Sequence, residues 1–314
     1  MSLPEDSRLL IKIAYMYYEE GATQSQIADE IGVSRSLISK YLSKARDLGI
    51  VEIIIHDDKI HPYRQLEGKI ERIYGLREVV CIPNLRGESS KSRLGAAASK
   101  YLLRVLKDGQ TVGVSAGTTL NEMAKALSSP HSYPSVTFVP LVGGMENERM
   151  DRHANHIVAQ LAENIQAQYK LLHAPVVVNS KEAKEVFMRQ NSILNVFELA
   201  AQSDIAIVGI GGTPEHSTRV KSYLDQGYQE YFDLGDSDIT GDICYNFINA
   251  KGQPANGSWN EKVMTLDLEK LRYIPLVIGV ACGIEKVQAI KATLEGRLID
   301  VLITDEETTK ALLD

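Results

Sequence analysis

The chain is poor in cysteine: Cys81, Cys244 and Cys282 are scattered over 314 residues without CxxC spacing. That spacing is typical of zinc sites, and disulfide-stabilised folds carry a denser, even set, so we expect neither. His153 and His156 stand three residues apart, where a helix could direct both to one metal, but no third ligand is near them in the sequence. We predict buried thiols in a reducing compartment, no metal site and no cofactor.

The chain also lacks a long hydrophobic run and an excess of positive charge. No segment has the pattern of a signal peptide or a membrane span, so we expect a cytoplasmic protein with no membrane partner. The formal net charge is −7, with 44% hydrophobic and 24% charged residues, as in ordinary globular proteins. A nucleic acid would therefore have to bind a local basic surface. The length is enough for two domains with a substantial core.

Residues 23–49 have the pattern of two short helices joined by a tight turn. Thr23 and Gln26 form a capping box, Gly32 easily takes the positive φ of a turn, and Ser34 caps the second helix. The second helix has an apolar stripe made of Leu37, Ile38, Tyr41, Leu42 and Ala45. Its opposite face carries Arg35, Ser36, Ser39, Lys40, Lys44 and Arg46. This pattern predicts a helix-turn-helix whose second helix enters the DNA major groove.

An ordinary helical hairpin with a solvated basic face is the alternative. Polar side chains that can reach bases or phosphates crowd the start of the second helix, which favours DNA binding. We predict double-stranded operator DNA as a partner, with an affinity that depends strongly on salt. The predicted DNA contacts are Thr23, Gln24, Ser34, Arg35, Ser36, Ser39, Lys40 and Lys44.

The rest of the chain alternates between strand-like and helix-like runs. The predicted domains are a helix-turn-helix domain over 1–56, a linker helix over 57–75 and an α/β domain over 76–314. In the first domain we expect a helix over 7–20 and a short strand over 51–55. Predicted strands of the third cover 78–82, 111–115, 136–141, 170–178, 204–210, 274–281 and 301–304. Predicted helices cover 92–106, 119–127, 154–166, 181–201, 284–295 and 306–313. This alternation indicates a mainly parallel sheet.

Four glycine-rich segments follow predicted strands, over 113–119, 140–144, 209–214 and 281–286. Ligands of open parallel sheets bind beyond the carboxyl ends of the strands, so these segments are candidate binding sites. No GxxxxGK[ST] loop is present, and the third segment lacks the last glycine of GxGxxG, so a nucleotide site is not expected. Any one segment alone would indicate only a tight turn, but four together favour a small anionic ligand.

Together these motifs resemble the SorC family of bacterial sugar-responsive transcriptional regulators. The resemblance covers nearly the whole chain and rests on SQIADEIGVSRSLISKYLSKARDLGIVEI (25–53), VGVSAGTTL (112–120), VPLVGG (139–144), IVGIGG (207–212), GDICYNFI (241–248), GIEKVQAI (283–290) and LIDVLITDEETTKALL (298–313). It implies a small N-terminal helix-turn-helix domain followed by a mainly parallel α/β effector domain, similar in fold to glucosamine-6-phosphate deaminase and ribose-5-phosphate isomerase. It also implies a homo-oligomer, either a dimer or a tetramer.

The resemblance further implies which residues contact the effector. Gly117, Thr118 and Thr119 would hold a phosphate at a helix start, and Lys286 would pair with it. The other implied contacts are Gly143, His153, Gly211, Arg219 (or Lys221) and Asp242. Where some relatives have Arg or Lys before Gly-Gly, this chain has Val142, which neither pairs with a second phosphate nor forms a Schiff base. A monophosphate or an unphosphorylated sugar is therefore favoured.

The predicted function is regulation of a carbohydrate-utilisation operon by a sugar or sugar-phosphate effector. A sugar-phosphate isomerase or deaminase fused to a DNA-binding head is an alternative, with Asp242 as a candidate base. No acid–base partner for Asp242 is evident, so we do not expect an enzyme. A third alternative is a constitutive DNA-binding protein whose α/β domain only oligomerises.

Overall fold

The computed structural model describes residues 7–53, 61–84, 89–144, 153–213 and 238–314. Two compact units divide the chain, Met1–His61 and Pro62–Asp314. None of the described helices is long and apolar enough to cross a lipid bilayer.

The first unit is helical and encloses a small apolar core. Its helices are α1 (Ser7–Tyr18), α2 (Gln24–Ile31) and α3 (Arg35–Asp47). Ile13, Ile27 and Ile38 are fully buried where the three helices meet. The predicted capping box of α2 is present, and Gly32 ends that helix with a φ of 75°. These features confirm the helix-turn-helix, because the turn residue has the left-handed conformation that the motif requires.

The strand predicted over 51–55 is not formed in its described part. Residues 51–53 have no strand conformation and Ile53 is exposed, while residues 54–60 lie outside the described residues. β-forming residues need a pairing partner, and the described residues supply none for this segment.

The helix predicted as a linker, α4 (Arg64–Tyr74), is part of the second unit. It packs against residues 78–82 and 306–313. Ile70 is fully buried, and the buried carboxylate of Glu67 accepts a hydrogen bond from the Cys81 N–H at 2.9 Å. Because these two side chains anchor it, the helix belongs to the α/β body rather than to a free connection.

Nine strands occur among the described residues of the second unit. They are β1 (Glu78–Ile82), β2 (Thr111–Val114), β3 (Thr137–Pro140), β4 (Gln168–Tyr169), β5 (Ile205–Gly211), β6 (Gly241–Ile243), β7 (Asn246–Ile248), β8 (Val277–Val280) and β9 (Val301–Asp305). The order β1-β9-β8-β5-β2-β3-β4 is parallel throughout, whereas β6 and β7 continue from β5 as antiparallel strands. The predicted mainly parallel sheet is therefore confirmed.

Helices cover both faces of this sheet. They are α5 (Ser90–Val105), α6 (Thr118–Ala126), α7 (Ala154–Asn164), α8 (Lys181–Met188), α9 (Asn191–Ala201), α10 (Trp259–Lys262), α11 (Leu268–Arg272), α12 (Val287–Glu295) and α13 (Glu306–Leu313). On β5, Ile205 and Ile207 belong to one apolar cluster, while Ala206 and Val208 belong to the other. A strand that is buried on both faces has a continuous run of apolar residues. This run is why β5 could be predicted from the sequence.

Two predicted elements differ in detail, and one hairpin was not predicted. Residues 170–178 form isolated bridges rather than a strand, since Pro175 has no N–H to donate to a ladder. The helix predicted over 181–201 is divided into α8 and α9. The β6–β7 hairpin was not predicted, because Cys244 (φ 49°) and Tyr245 (φ 63°) form its turn without the Asn or Gly that usually signals one.

Substitution by alanine is expected to have opposite effects on stability at two helical glycines. A Cβ at Gly95 of α5 would lie 2.5 Å from the backbone N of Met123 in α6, whereas one at Gly68 of α4 would meet only the tip of Arg72 at 3.4 Å. We expect Gly95→Ala to lower the free energy of unfolding by about 1–3 kcal/mol through overpacking. Gly68→Ala should raise it by roughly 0.5–1 kcal/mol through helix propensity. Urea unfolding of both variants tests this, and a stabilised Gly95→Ala would contradict the observed close packing.

Candidate functional site

A cavity of about 520 Å³ lies at the carboxyl ends of four adjacent parallel strands. Its walls come from residues 116–120 after β2, 209–212 at the end of β5, 282–286 after β8, Asp305 and Glu307 after β9, and Ser90 and Lys91 in α5. The strand order reverses between β2 and β5, which is where open α/β sheets bind ligands. The topology therefore unites three of the four predicted glycine-rich segments in one site.

The start of α6 forms one wall of the cavity. Gly117 is its N-cap residue, with a φ of 133°, and none of the described side chains caps the helix. The N–H groups of the first turn and the half-buried hydroxyl-bearing residues Thr118 and Thr119 therefore border the cavity. An uncapped helix N-terminus with two adjacent hydroxyls is suited to bind an anion.

The segment after β8 supplies a cation to the opposite wall. Gly283 (φ 116°) begins a 3₁₀ turn over Ile284–Lys286, and the Lys286 N–H donates to the Gly283 carbonyl at 2.9 Å. Lys286 is half-buried and lines the cavity, as does Lys91 at the start of α5. Two lysines thus line the same cavity as the start of α6, and this combination favours a phosphate or carboxylate ligand.

Carboxylates also line the cavity. Glu285 and Glu307 are exposed, whereas Asp305 is buried and accepts the Thr308 N–H at 2.9 Å as the N-cap of α13. Carboxylate oxygens accept hydrogen bonds from hydroxyl groups. The mixture of cations and carboxylates therefore matches a polyhydroxylated anion better than a purely apolar compound.

Gly211 and Asp242 are neighbours on two paired strands next to the cavity. They pair across β5 and β6, and the buried carboxylate of Asp242 occupies the space where a side chain at position 211 would stand. Gly211 lines the cavity, whereas Asp242 is not one of its lining residues. A side chain at position 211 would therefore have to displace the Asp242 carboxylate.

Two other predicted effector contacts, Gly143 and His153, do not line the described part of this cavity. Gly143 donates its N–H to the Met264 carbonyl at 2.9 Å, and a Cβ there would lie 2.7 Å from the carbonyl carbon of Pro175. His153 is the N-cap residue of α7, with its ring beside Gly144. Arg219, a third predicted contact, lies outside the described residues. Their role as effector contacts stays a prediction.

Sequence reasoning missed the contributions of Ser90, Lys91, Asp305 and Glu307. The predicted site residues came from glycine-rich segments, and neither the β9 exit nor the start of α5 contains one. The available signal was the polar run that directly follows the apolar strand β9, since its carboxyl end meets the same edge of the sheet.

The predicted DNA-binding surface is presented by α3. Arg35, Ser36, Ser39, Lys40 and Lys44 are all exposed on that helix. Two predicted contacts serve as caps: the Ser34 hydroxyl accepts the Leu37 N–H at 3.3 Å, and the Thr23 hydroxyl accepts the Gln26 N–H at 3.3 Å. Gln24 is the first residue of α2. The side chains left for base contacts thus concentrate on the first half of α3.

Both parts of the chain match known protein families. Residues 58–314 match the family model described as "Putative sugar-binding domain", and residues 1–47 match "Sigma-70, region 4". The sorbitol operon regulator of Klebsiella pneumoniae is 31% identical over 316 residues, which covers 100% of both chains. The chain belongs to the SorC family.

A second relative and a solved structure also align over nearly the whole chain. The deoxyribonucleoside regulator of Bacillus subtilis is 30% identical, with 99% of this chain and 98% of the relative covered. The crystal structure of the full-length sorbitol operon regulator gives a TM-score of 0.75 at 30% identity, covering 99% of this chain and 100% of the other. The prediction of a DNA-binding transcriptional regulator with a sugar-binding domain is confirmed.

The cavity of this SorC family member contains one thiol with a shifted pKa. Burial and then the carboxylate of Asp305 raise the pKa of Cys282 from 9.0 to about 11, although Lys286 acts in the opposite direction. The thiolate is the nucleophile, so we expect alkylation by iodoacetamide to be slow at pH 8 and to accelerate about tenfold per pH unit toward pH 11. Mass spectrometry of Cys282, with the urea-unfolded chain as control, measures this. Alkylation at pH 8 as fast as in the unfolded chain would contradict the assigned environment.

Proposed function

We propose that this regulator controls a carbohydrate-utilisation operon and that its effector is a small sugar phosphate, or a related polyhydroxylated anion, bound in the cavity between β2, β5, β8 and β9. The observation that carries the proposal is the uncapped start of α6 facing the same cavity as Lys286. The α6 amides and the hydroxyls of Thr118 and Thr119 hold the anionic group. The carboxylates on the β9 side accept hydrogen bonds from the sugar hydroxyls.

The α3 surface binds operator DNA in this proposal. Arg35, Ser36 and Ser39 contact base edges, while Lys40 and Lys44 contact phosphates. Thr23, Gln24 and Ser34 lie at the amino ends of α2 and α3, where backbone N–H groups suit phosphate contacts. Operator binding and effector binding are coupled through a homo-oligomer that acts in the cytoplasm, where operator DNA is found.

The regulator is favoured over an isomerase or deaminase. Asp242 is the candidate base, and its carboxylate packs against Gly211 without being part of the lining of the cavity. A general base must come within hydrogen-bond reach of the carbon-bound proton that it removes. The relatives carry the names of transcriptional regulators, which agrees with this preference.

The test is fluorescence anisotropy on DNA from upstream of the protein's own operon. The panel contains hexose and hexitol 6-phosphates, pentose 5-phosphates and the corresponding unphosphorylated sugars. We expect a salt-sensitive complex whose midpoint is shifted by one phosphorylated compound and less by its unphosphorylated counterpart. Operator binding that no compound changes would contradict effector control, and turnover of any sugar phosphate would favour the enzyme.

A further inference from the structure

The first turn of α13 lies between the cavity and the start of α4. Asp305 and Glu307 line the cavity, and Glu306 between them accepts a hydrogen bond from the Tyr63 hydroxyl at 3.0 Å. Tyr63 immediately precedes α4 and stands two residues after the boundary between the two units. The same helical turn therefore contacts the effector cavity and the segment through which the second unit continues from the first.

One hydrogen bond joins this turn to the cation-bearing segment after β8, and a second lies within the turn. The Gly283 N–H donates to the Thr308 hydroxyl at 2.8 Å, and the Thr308 N–H donates to Asp305 Oδ1 at 2.9 Å. Gly283 begins the turn that carries Lys286. A ligand that repositions the Lys286 turn therefore acts directly on the hydrogen bonds of the first turn of α13.

The Tyr63–Glu306 hydrogen bond keeps its donor and acceptor over the physiological pH range. Burial and then Glu306 raise the pKa of Tyr63 to about 12, so the hydroxyl remains protonated. Glu306 also pairs with Lys310 at 2.6 Å, and the hydrogen bonds from Lys310 and Tyr63 lower the pKa of its carboxyl. The contact is thus a charge-assisted hydrogen bond, which is stronger than a neutral one.

We propose that the Tyr63–Glu306 hydrogen bond couples occupancy of the cavity to the start of α4, the segment that follows the DNA-binding unit. Tyr63 is a positioning residue in this scheme, because it touches neither the effector nor DNA. The inference rests on the proposed function, since it requires an anion to bind near Lys286. Coupling of this kind needs a structural element whose conformational equilibrium is shifted from both sites. The first turn of α13 is that element.

The test compares Tyr63→Phe with the wild-type full chain and with Tyr273→Phe, a matched loss of a hydroxyl from a residue that is 85% exposed. Amide hydrogen exchange is measured with inorganic phosphate as the probe and with chloride at the same ionic strength as control. In wild type and Tyr273→Phe we expect phosphate to change exchange at 283–290 and at 63–70. In Tyr63→Phe the change at 283–290 persists and the change at 63–70 is lost.

Acceptor variants separate coupling from local stability. Glu306→Gln keeps an oxygen that accepts the Tyr63 hydrogen bond and should retain the 63–70 response, whereas Glu306→Ala should lose it. No change at 283–290 in wild type would overturn the anion site itself, and this inference with it. A change at 283–290 without one at 63–70 in wild type, or a 63–70 response that survives in Tyr63→Phe, would overturn the coupling contact alone.

Discussion

Lys286→Ala is expected to weaken binding of a phosphorylated effector by about 10- to 100-fold while leaving effector-free operator binding unchanged. A hydrogen bond to a charged group contributes about 1.5–3 kcal/mol, and Lys286 is a half-buried cation of the cavity. Calorimetric titration of the effector and anisotropy on operator DNA measure the two quantities separately. The unphosphorylated sugar should lose less affinity, because it carries no anion for Lys286 to pair with.

Lys251→Ala is the matched control for this variant. It removes the same charge from an exposed loop outside the cavity and should leave effector binding unchanged. The double substitution Thr118→Ala with Thr119→Ala should also abolish the effector response while keeping operator binding. If Lys286→Ala and the double variant respond to effector like the wild type, the effector binds elsewhere, and if the wild type itself shows no response, the α/β domain only oligomerises.

Arg35→Ala is expected to weaken operator binding by about 1–3 kcal/mol and to relax specificity at one base position. Arg35 is the first residue of α3, where recognition helices contact base edges, and its side chain is exposed. Lys44→Ala should instead weaken binding to operator and unrelated DNA alike and reduce the salt slope by about one. Anisotropy on operator and scrambled duplexes over a range of salt concentrations distinguishes the two effects.

Lys12→Ala is the control within the same unit. Lys12 is exposed on α1 and pairs with Glu30 of α2 at 3.7 Å. Its removal should change operator affinity little, since an exposed pair of this kind contributes about 0–1 kcal/mol to stability. An Arg35→Ala variant that binds operator like the wild type would show that the recognition surface is misplaced.

The helix-turn-helix was predictable because its determinants are local. The capping box at Thr23, the left-handed Gly32 and the apolar stripe of α3 all act within a few residues of sequence, and each is present in the structure. The parallel sheet was predictable for a related reason, since strands buried on both faces produce continuous apolar runs. The short β6–β7 hairpin has neither signal.

The composition of the cavity was predictable only in part. Gly117 and Gly143 both follow apolar strands, yet Gly117 borders the cavity while Gly143 packs against the backbone of Pro175. That difference depends on a segment more than thirty residues further along the chain. A local sequence pattern does not contain information about such a long-range contact. The same is true of Glu307, which reaches the cavity only because β9 lies between β1 and β8.

One effector site and one DNA surface should be thermodynamically coupled. The most direct test is whether operator DNA changes effector affinity by the same factor as the effector changes operator affinity. The effector from the panel is titrated by calorimetry into free protein and into the saturated protein–operator complex. Linkage requires the ratio of the two effector Kd values to equal the factor by which the effector changes operator Kd. We predict that these two factors are equal in the wild type and that neither change in affinity is seen in Lys286→Ala. Identical effector Kd values with and without operator would contradict the coupling of the two sites.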